Sequence, residues 1–282
     1  MLNFVKIFAV GLILINSVCG QNTINTPSKT EKTNNKSDIH ITYIANEGIL
    51  IKTKSKQILI DGLHRKYKDD YAFPPDDLRE KLEKSLKPYN KIDLLLVSHL
   101  HGDHFHPASV GLHLQNNPQT ILATSEQIVG EIKKDFTDYE KIKPQIRQFS
   151  HEWKKSEKED FDGIKVKFLG LRHGSERFKW IQNFGHLIEA DGKKFLHIGD
   201  ADMTEENFST YKLNEEKIDV AFIPYWFLLS EEGRNLVKNQ FNPQHIIAVH
   251  VSPNDASEVS ENLKKHYSDL TVFTKILETK NF

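Results

Sequence analysis

Three imidazoles and a carboxylate fall within six residues in the run Ser98-His99-Leu100-His101-Gly102-Asp103-His104. Nitrogen and oxygen donors at this density are the ligand types of first-row divalent metals. The run follows the apolar segment 92–97, so a buried strand delivers the donors to the edge of a core. In an extended chain alternate residues share a side, which lets His99 and His101 grip one ion. Asp103 and His104, just past them, must turn elsewhere, and that suits a second ion nearby. A polar loop that is merely rich in histidine is the alternative.

Each ion needs further donors. His173, Asp200 and His250 stand where strand-like segments give way to loops, after 166–170, 195–199 and 246–249. Singly, each has a dull explanation: a strand-end histidine is usually a core or surface residue, and Gly199-Asp200 can be a plain turn. Their repeated placement beside the opening cluster favours ligation. Asp61, at the end of 57–61, is read as orienting a ligand histidine from behind rather than binding metal. A simple turn before Gly62 is the alternative. His106, directly before Pro107, is read as helix entry. His64, His151, His197 and His245 have no partner spacing.

Those residues need a scaffold. Short strands are expected at 39–44, 48–53 and 57–61, with Lys54-Ser55-Lys56 turning between the last two. Leu78, Leu82 and Leu86 recur every four residues and predict a one-faced helix over 77–89. A helix opened by Pro107 runs through Leu114. A strand at 120–123 precedes a helix at 125–134, and further strands are expected at 164–170, 186–190, 194–198, 220–224 and 246–251. A last helix covers 257–267. Residues 141–162 read as a charged, irregular surface excursion. Tyr225-Trp226-Phe227-Leu228-Leu229 reads as an aromatic loop that floors a substrate pocket or joins the core. Arg172, Arg177 and Lys179 could meet an anion or form a solvated face. Many short strands mixed with helices predict a layered α/β sandwich.

The 282-residue chain carries 38 basic and 39 acidic residues, so composition forces no basic face and nucleic acid is not an expected partner. Residues 1–20 read as a secretory signal peptide cut before Gln21, with an apolar run too short for a comfortable membrane span. An uncleaved anchor and lipidation at Cys19 are the alternatives. Residues 21–37 read as a flexible polar tether, and 38–282 as the catalytic domain. Cys19 is the single cysteine, so a chain beginning at Gln21 has neither a disulfide nor a thiolate ligand.

These motifs resemble the metallo-β-lactamase-fold hydrolase superfamily from about Ile39 to His250. Asp61 matches the first motif, Ser98–His104 the signature, and His173, Gly199-Asp200 and His250 the third to fifth. The resemblance implies a four-layer αβ/βα sandwich with the site at one edge between two sheets. It implies that His99, His101 and His173 bind one metal, that Asp103, His104 and His250 bind the other, and that Asp200 bridges them. An acid at Asp200, where the commonest true β-lactamases carry cysteine, favours enzymes cutting esters, lactones, thioesters or phosphodiesters. Leu171-Arg172-His173-Gly174-Ser175 looks more like the branch of ascorbate-6-phosphate lactonase and N-acylphosphatidylethanolamine phospholipase D.

Two ions about 3.5–4 Å apart can share a water and lower its pKa toward about 7. The expectation is an exported, binuclear hydrolase that uses a metal-bridging hydroxide on a small-molecule ester, lactone or phosphodiester. Zinc is the expected metal, with manganese or iron as alternatives. Asp103 is the expected catalytic proton carrier. A nuclease of the same fold and a catalytically silent metal-binding module are the competing readings.

Overall fold

A computed structural model describes residues 39–174 and 176–282. The expected signal peptide, the tether, Cys19 and Ser175 lie outside the described residues.

The first half of the chain supplies β1 (His40–Ala45), β2 (Gly48–Lys52), β3 (Gln57–Ile60), β4 (Leu94–Leu96), β5 (Ile121–Ser125) and β6 (Ile146–Phe149). The second half supplies β7 (Ser156–Phe161), β8 (Ile164–Leu171), β9 (Asn183–Ala190), β10 (Lys193–His197), β11 (Val220–Pro224), β12 (His245–Val249) and β13 (Leu270–Val272). A final strand, β14 (Thr279–Asn281), returns to pair antiparallel with β1. Two seven-stranded sheets result, ordered β14-β1-β2-β3-β4-β5-β6 and β13-β12-β11-β10-β9-β8-β7. In each sheet four consecutive strands running out to one edge are parallel, β3 to β6 in the first and β10 to β13 in the second, and the other strands pair antiparallel.

The strand sequences explain the layering. Leu94 and Leu96 point into the core between the sheets with Ile58, Ile60, Phe195 and Phe222. Leu95, facing the other way, packs with Leu78, Leu82 and Val110 under the helices. A strand apolar on both faces must be covered on both, as parallel strands are. Helices α1 (Asp76–Glu83), α2 (Pro107–Asn116), α3 (Glu126–Asp135) and α4 (Tyr139–Ile142) cover the first sheet. Helices α5 (Glu205–Phe208), α6 (Tyr225–Leu229), α7 (Glu231–Leu236) and α8 (Ala256–Lys264) cover the second. The expected four-layer α/β sandwich is the observed fold. No helix among the described residues is long and apolar enough to cross a membrane.

Three expectations need correction. The helix expected over 77–89 stops at Glu83: Ser85 takes a left-handed φ of 50°, and the N–H groups of Ser85 and Leu86 donate to the carbonyls of Leu82 and Lys81. That closing turn leaves Leu86 48% exposed, so the third leucine of the repeat is not on the buried stripe. The stretch 141–162 is not irregular but holds β6 and β7, the outer edge of each sheet. Edge strands carry charge, and the Ser156–Asp160 side chains are all exposed, which erased the apolar alternation. The aromatic stretch after β11 is the short helix α6, which buries Phe227 and Leu228 and leaves Tyr225 and Trp226 half-buried.

Candidate metal centre

The C-terminal ends of β3, β4, β8, β10 and β12 open onto one edge of the sandwich, where open α/β sheets place their sites. Asp61 follows β3, the Ser98–His104 run follows β4, His173 follows β8, Asp200 follows β10 and His250 follows β12. Ser98 locks the two sheets together there, because its carbonyl accepts the Phe184 N–H at 2.9 Å. The turn His101–His104 closes with the His104 and Phe105 N–H groups on the His101 carbonyl, both 3.0 Å. Gly102 lets the Tyr67 ring lie against that turn, where a Cβ would stand 2.7 Å from the ring and displace it. The Gly174 N–H donates to the Asp200 carbonyl at 2.8 Å, pinning the loops of His173 and Asp200 to each other.

The seven expected ligand side chains come together in two groups. His101 Nδ1 lies 3.1 Å from both His99 Nε2 and His173 Nε2. Asp103 Oδ2 lies 3.3 Å from His250 Nε2 and 3.5 Å from His104 Nε2. Asp200 stands between the groups. Its Oδ1 is 3.4 Å from both His104 Nε2 and His250 Nε2, and its Oδ2 is 3.5 Å from His173 Nε2 and 3.8 Å from His99 Nε2. Donor atoms bonded to one cation at about 2.0–2.2 Å stand roughly 3–3.5 Å apart, and these separations match. His104 Nε2, His250 Nε2 and Asp200 Oδ1 are buried without any hydrogen-bond partner. Buried polar atoms left unpaired are costly, so this inward-facing set fits divalent cations.

The residues behind the donors fix their orientation. Asp61 is fully buried, and its carboxylate accepts the Ser98 N–H at 2.8 Å, the Ser98 hydroxyl and the His104 Nδ1–H at 2.9 Å. His99 Nδ1 lies 3.0 Å from the same hydroxyl, so Asp61 steers His104 directly and His99 through Ser98. With each Nδ1 carrying the proton, each Nε2 presents a lone pair inward. Asp61 and His250 sit in left-handed backbone, at φ 46° and 61°, conformations that persist only when surroundings impose them. The His250 N–H donates to the Asn46 carbonyl at 3.1 Å.

Sequence reasoning missed Asn46 and Glu47, both buried in the tight turn between β1 and β2. Asn46 Nδ2 donates to Asp103 Oδ2 at 3.0 Å and so holds that carboxylate in place. Glu47 has no hydrogen bond to either carboxylate oxygen, and its Oε2 lies 3.4 Å from His197 Nε2 and 4.0 Å from His104 Nδ1. A lone acid between two apolar strands was the available signal, but Asn-Glu-Gly reads equally well as an ordinary hairpin. His197, given no role from sequence, is buried against Glu47. His106 caps α2, as expected, by accepting the Ser109 N–H. The basic residues flanking His173, open to an anion or to a solvated face on sequence, have partners within the protein: the Arg172 guanidinium lies 3.3 Å over the Trp153 ring, Arg177 covers Phe178 and Lys179 pairs with Glu176.

On protein charges alone the cluster is sharply polarised. Burial opposes charge on His104 and His250, but Asp200 and Asp103 outweigh it, holding His104 well above the usual range and His250 at about 10. Burial, reinforced by charge on His104, pushes His99 far down, and burial with the neighbouring His173 takes His101 to about 4. Asp103 falls to about 2 against its burial because His104 and His250 face it. Burial and the Asp200 charge raise Glu47 to about 8. Aromatic rings rim the centre: Phe178 stands 4.8 Å from His101, and Trp226 and Tyr71 stand 5.0 and 5.2 Å from His250.

Residues 58–271 match the family described as Beta-lactamase superfamily domain. A UPF0173 metal-dependent hydrolase of Bacillus cereus is 30% identical over 224 residues, spanning 74% of this chain and 84% of that protein. Among solved structures, Igni18, a metallo hydrolase from Ignicoccus hospitalis, aligns with TM-score 0.57 at 17% identity, covering 86% of this chain and 98% of its own. The metallo-beta-lactamase fold protein YhfI of Bacillus subtilis aligns with TM-score 0.57 at 14% identity, covering 88% and 100%. At these identities the two structures establish the shared fold.

Proposed function

The chain belongs to the beta-lactamase superfamily of metal-dependent hydrolases, and from that premise we propose a two-cation hydrolase acting on a small ester, lactone or phosphodiester. His99, His101 and His173 would hold one cation and Asp103, His104 and His250 the other, with one Asp200 oxygen turned to each. The observation that carries this reading is the placement of the two Asp200 oxygens against separate sets of imidazole nitrogens. Bound divalent cations supply Lewis acidity and make water acidic enough to give a nucleophile near neutral pH.

The chain's own groups do the rest. Asp103, fixed by the Asn46 amide, stands where it can take a proton from the attacking water and return it to the leaving oxygen. Asp61 and Ser98 hold a proton on Nδ1 of His104 and His99, so that Nε2 is the nitrogen each would offer to a cation. Phe178, Tyr71 and Trp226 wall the centre and restrict water around it. All-nitrogen-and-oxygen donors accept zinc, manganese or iron, and zinc is the proposed metal for an exported protein. Export itself rests on the apolar segment within residues 1–20 and the polar stretch that follows it.

Elemental analysis of the purified protein is expected to give two metal equivalents. The zinc- or manganese-loaded enzyme is then assayed on bis(p-nitrophenyl) phosphate, a lactone panel and nitrocefin. Hydrolysis of a lactone or the phosphodiester, abolished in Asp103→Ala, is expected. Near-normal turnover by a metal-replete Asp103→Ala would remove its assigned role, and hydrolysis of nitrocefin alone would overturn the substrate class. An N-terminus at Gln21 in the exported fraction tests the signal segment.

A further inference from the structure

A cavity of about 300 Å³ opens beside His250, lined by Asp70, Tyr71, Tyr225, Trp226, Ser252 and Asp255. Three features set its chemistry. First, it has three aromatic rings: Tyr225 and Trp226 meet at 79° with centroids 5.6 Å apart, forming a corner. Trp226 and Tyr71 each stand nearly perpendicular to the His250 imidazole, at 72° and 86°. Second, it has two carboxylates, Asp70 and Asp255, and neither has an ion pair or side-chain hydrogen bond to the described residues. Third, no lysine or arginine is among the described residues that line it. Lys68, outside the lining, carries its ammonium 6.0 Å from the Tyr71 ring and 5.0 Å from the Tyr67 ring, so this aromatic group already attracts a cation.

We propose that this cavity binds a positively charged organic group, an alkylammonium or quaternary ammonium, carried by the substrate. The inference rests on the hydrolase reading above and narrows its substrate to an ester or phosphodiester bearing such a cation. Aromatic faces attract a soft organic cation through their quadrupoles, and unpaired carboxylates add a long-range pull without demanding directional hydrogen bonds. An anionic group would face two carboxylates, and His250, the one basic side chain in the lining, is committed to the proposed metal cation. A neutral apolar group would gain ring contact but nothing from Asp70 and Asp255. Because His250 forms part of the wall, a small cationic head seated here keeps the scissile bond within reach of the metal centre. The size suits a compact head rather than a long chain.

Two readouts test this on the metal-loaded protein. In the first, tetramethylammonium is titrated against Trp226 fluorescence, with Trp226→Phe as the spectral control and neopentyl alcohol as the uncharged isostere. Saturable quenching by the cation alone, weakened at least about fivefold in Asp70→Asn/Asp255→Asn, is expected. In the second, kcat/KM for p-nitrophenyl phosphorylcholine is compared with that for p-nitrophenyl 3,3-dimethylbutyl phosphate. The cationic substrate is expected to be favoured by about tenfold or more, with the ratio falling toward one in the double variant. No saturable tetramethylammonium binding, or equal preference for the neutral isostere, overturns the proposal. Saturable binding with no turnover of either substrate would instead count against the hydrolase reading and leave the cation pocket standing.

Discussion

Replacing Asp61 by asparagine keeps the shape of a fully buried side chain and removes only its charge and one acceptor. The carboxylate now serves three donors, with one oxygen on the Ser98 N–H and the other shared by the Ser98 hydroxyl and His104 Nδ1–H. An amide has one oxygen for them. If that oxygen faces His104, its NH2 meets the Ser98 N–H, donor against donor. If it faces Ser98 N–H, His104 must shift its proton to Nε2, the nitrogen aimed at Asp103 and Asp200. Either way one charge-assisted hydrogen bond is lost, worth about 1.5–3 kcal/mol. Spent on ligand orientation, that is a roughly 10–100-fold loss of metal affinity. The loss should fall mainly on the cation of Asp103, His104 and His250, because His99 is steered only indirectly. Competition with a chromophoric chelator, followed by elemental analysis, should show one equivalent released at lower chelator concentration than in wild type. A folded Asp61→Asn protein that keeps both equivalents at wild-type affinity would refute the reasoning.

Metal uptake should release about two protons near pH 7.5, because His104 and His250 are held protonated by Asp200 and Asp103 and must become neutral to ligate. The sign is fixed by the raised values: affinity should rise with pH and weaken as pH falls. Calorimetry in buffers of different ionisation enthalpy measures the count, and a buffer-independent heat would contradict it. Gly199→Ala should destabilise the fold by about 2–4 kcal/mol. Its φ is 54°, and a Cβ would lie 2.5 Å from Asn183 Oδ1 and 2.9 Å from Ser98 Cβ. A lowered denaturant midpoint at constant slope is the expected result, and an unchanged midpoint would show that this corner of the site can yield.

The convergence of the seven proposed ligand residues was legible because their signal is local: each stands at the end of an apolar strand, and the four of the β4 turn are nearly contiguous. The strands that carry them were legible too, since burial on two faces leaves unbroken apolar runs such as Leu94-Leu95-Leu96. Asn46 and Glu47 were not, because Asn46 reaches Asp103 from another loop of the same sheet and Glu47 meets His197 only when the second sheet docks. Spacing along the chain does not encode that docking. The strand β7 escaped because an edge strand exposed along almost its whole length has no apolar period to read, and β6 because only its two ends, Ile146 and Phe149, turn inward. The end of α1 was missed because Ser85 supplies the left-handed closing residue where glycine would have announced it.

The donors are divided between the halves of the chain. His99, His101, Asp103 and His104 precede residue 150, and His173, Asp200 and His250 follow it. In the proposed ligand sets each cation draws on both halves, so occupancy would become a report on whether the two halves have met. A chelator should therefore loosen the seam before it touches either sheet, and a cut within residues 150–155 should leave fragments whose reunion depends on the supply of metal.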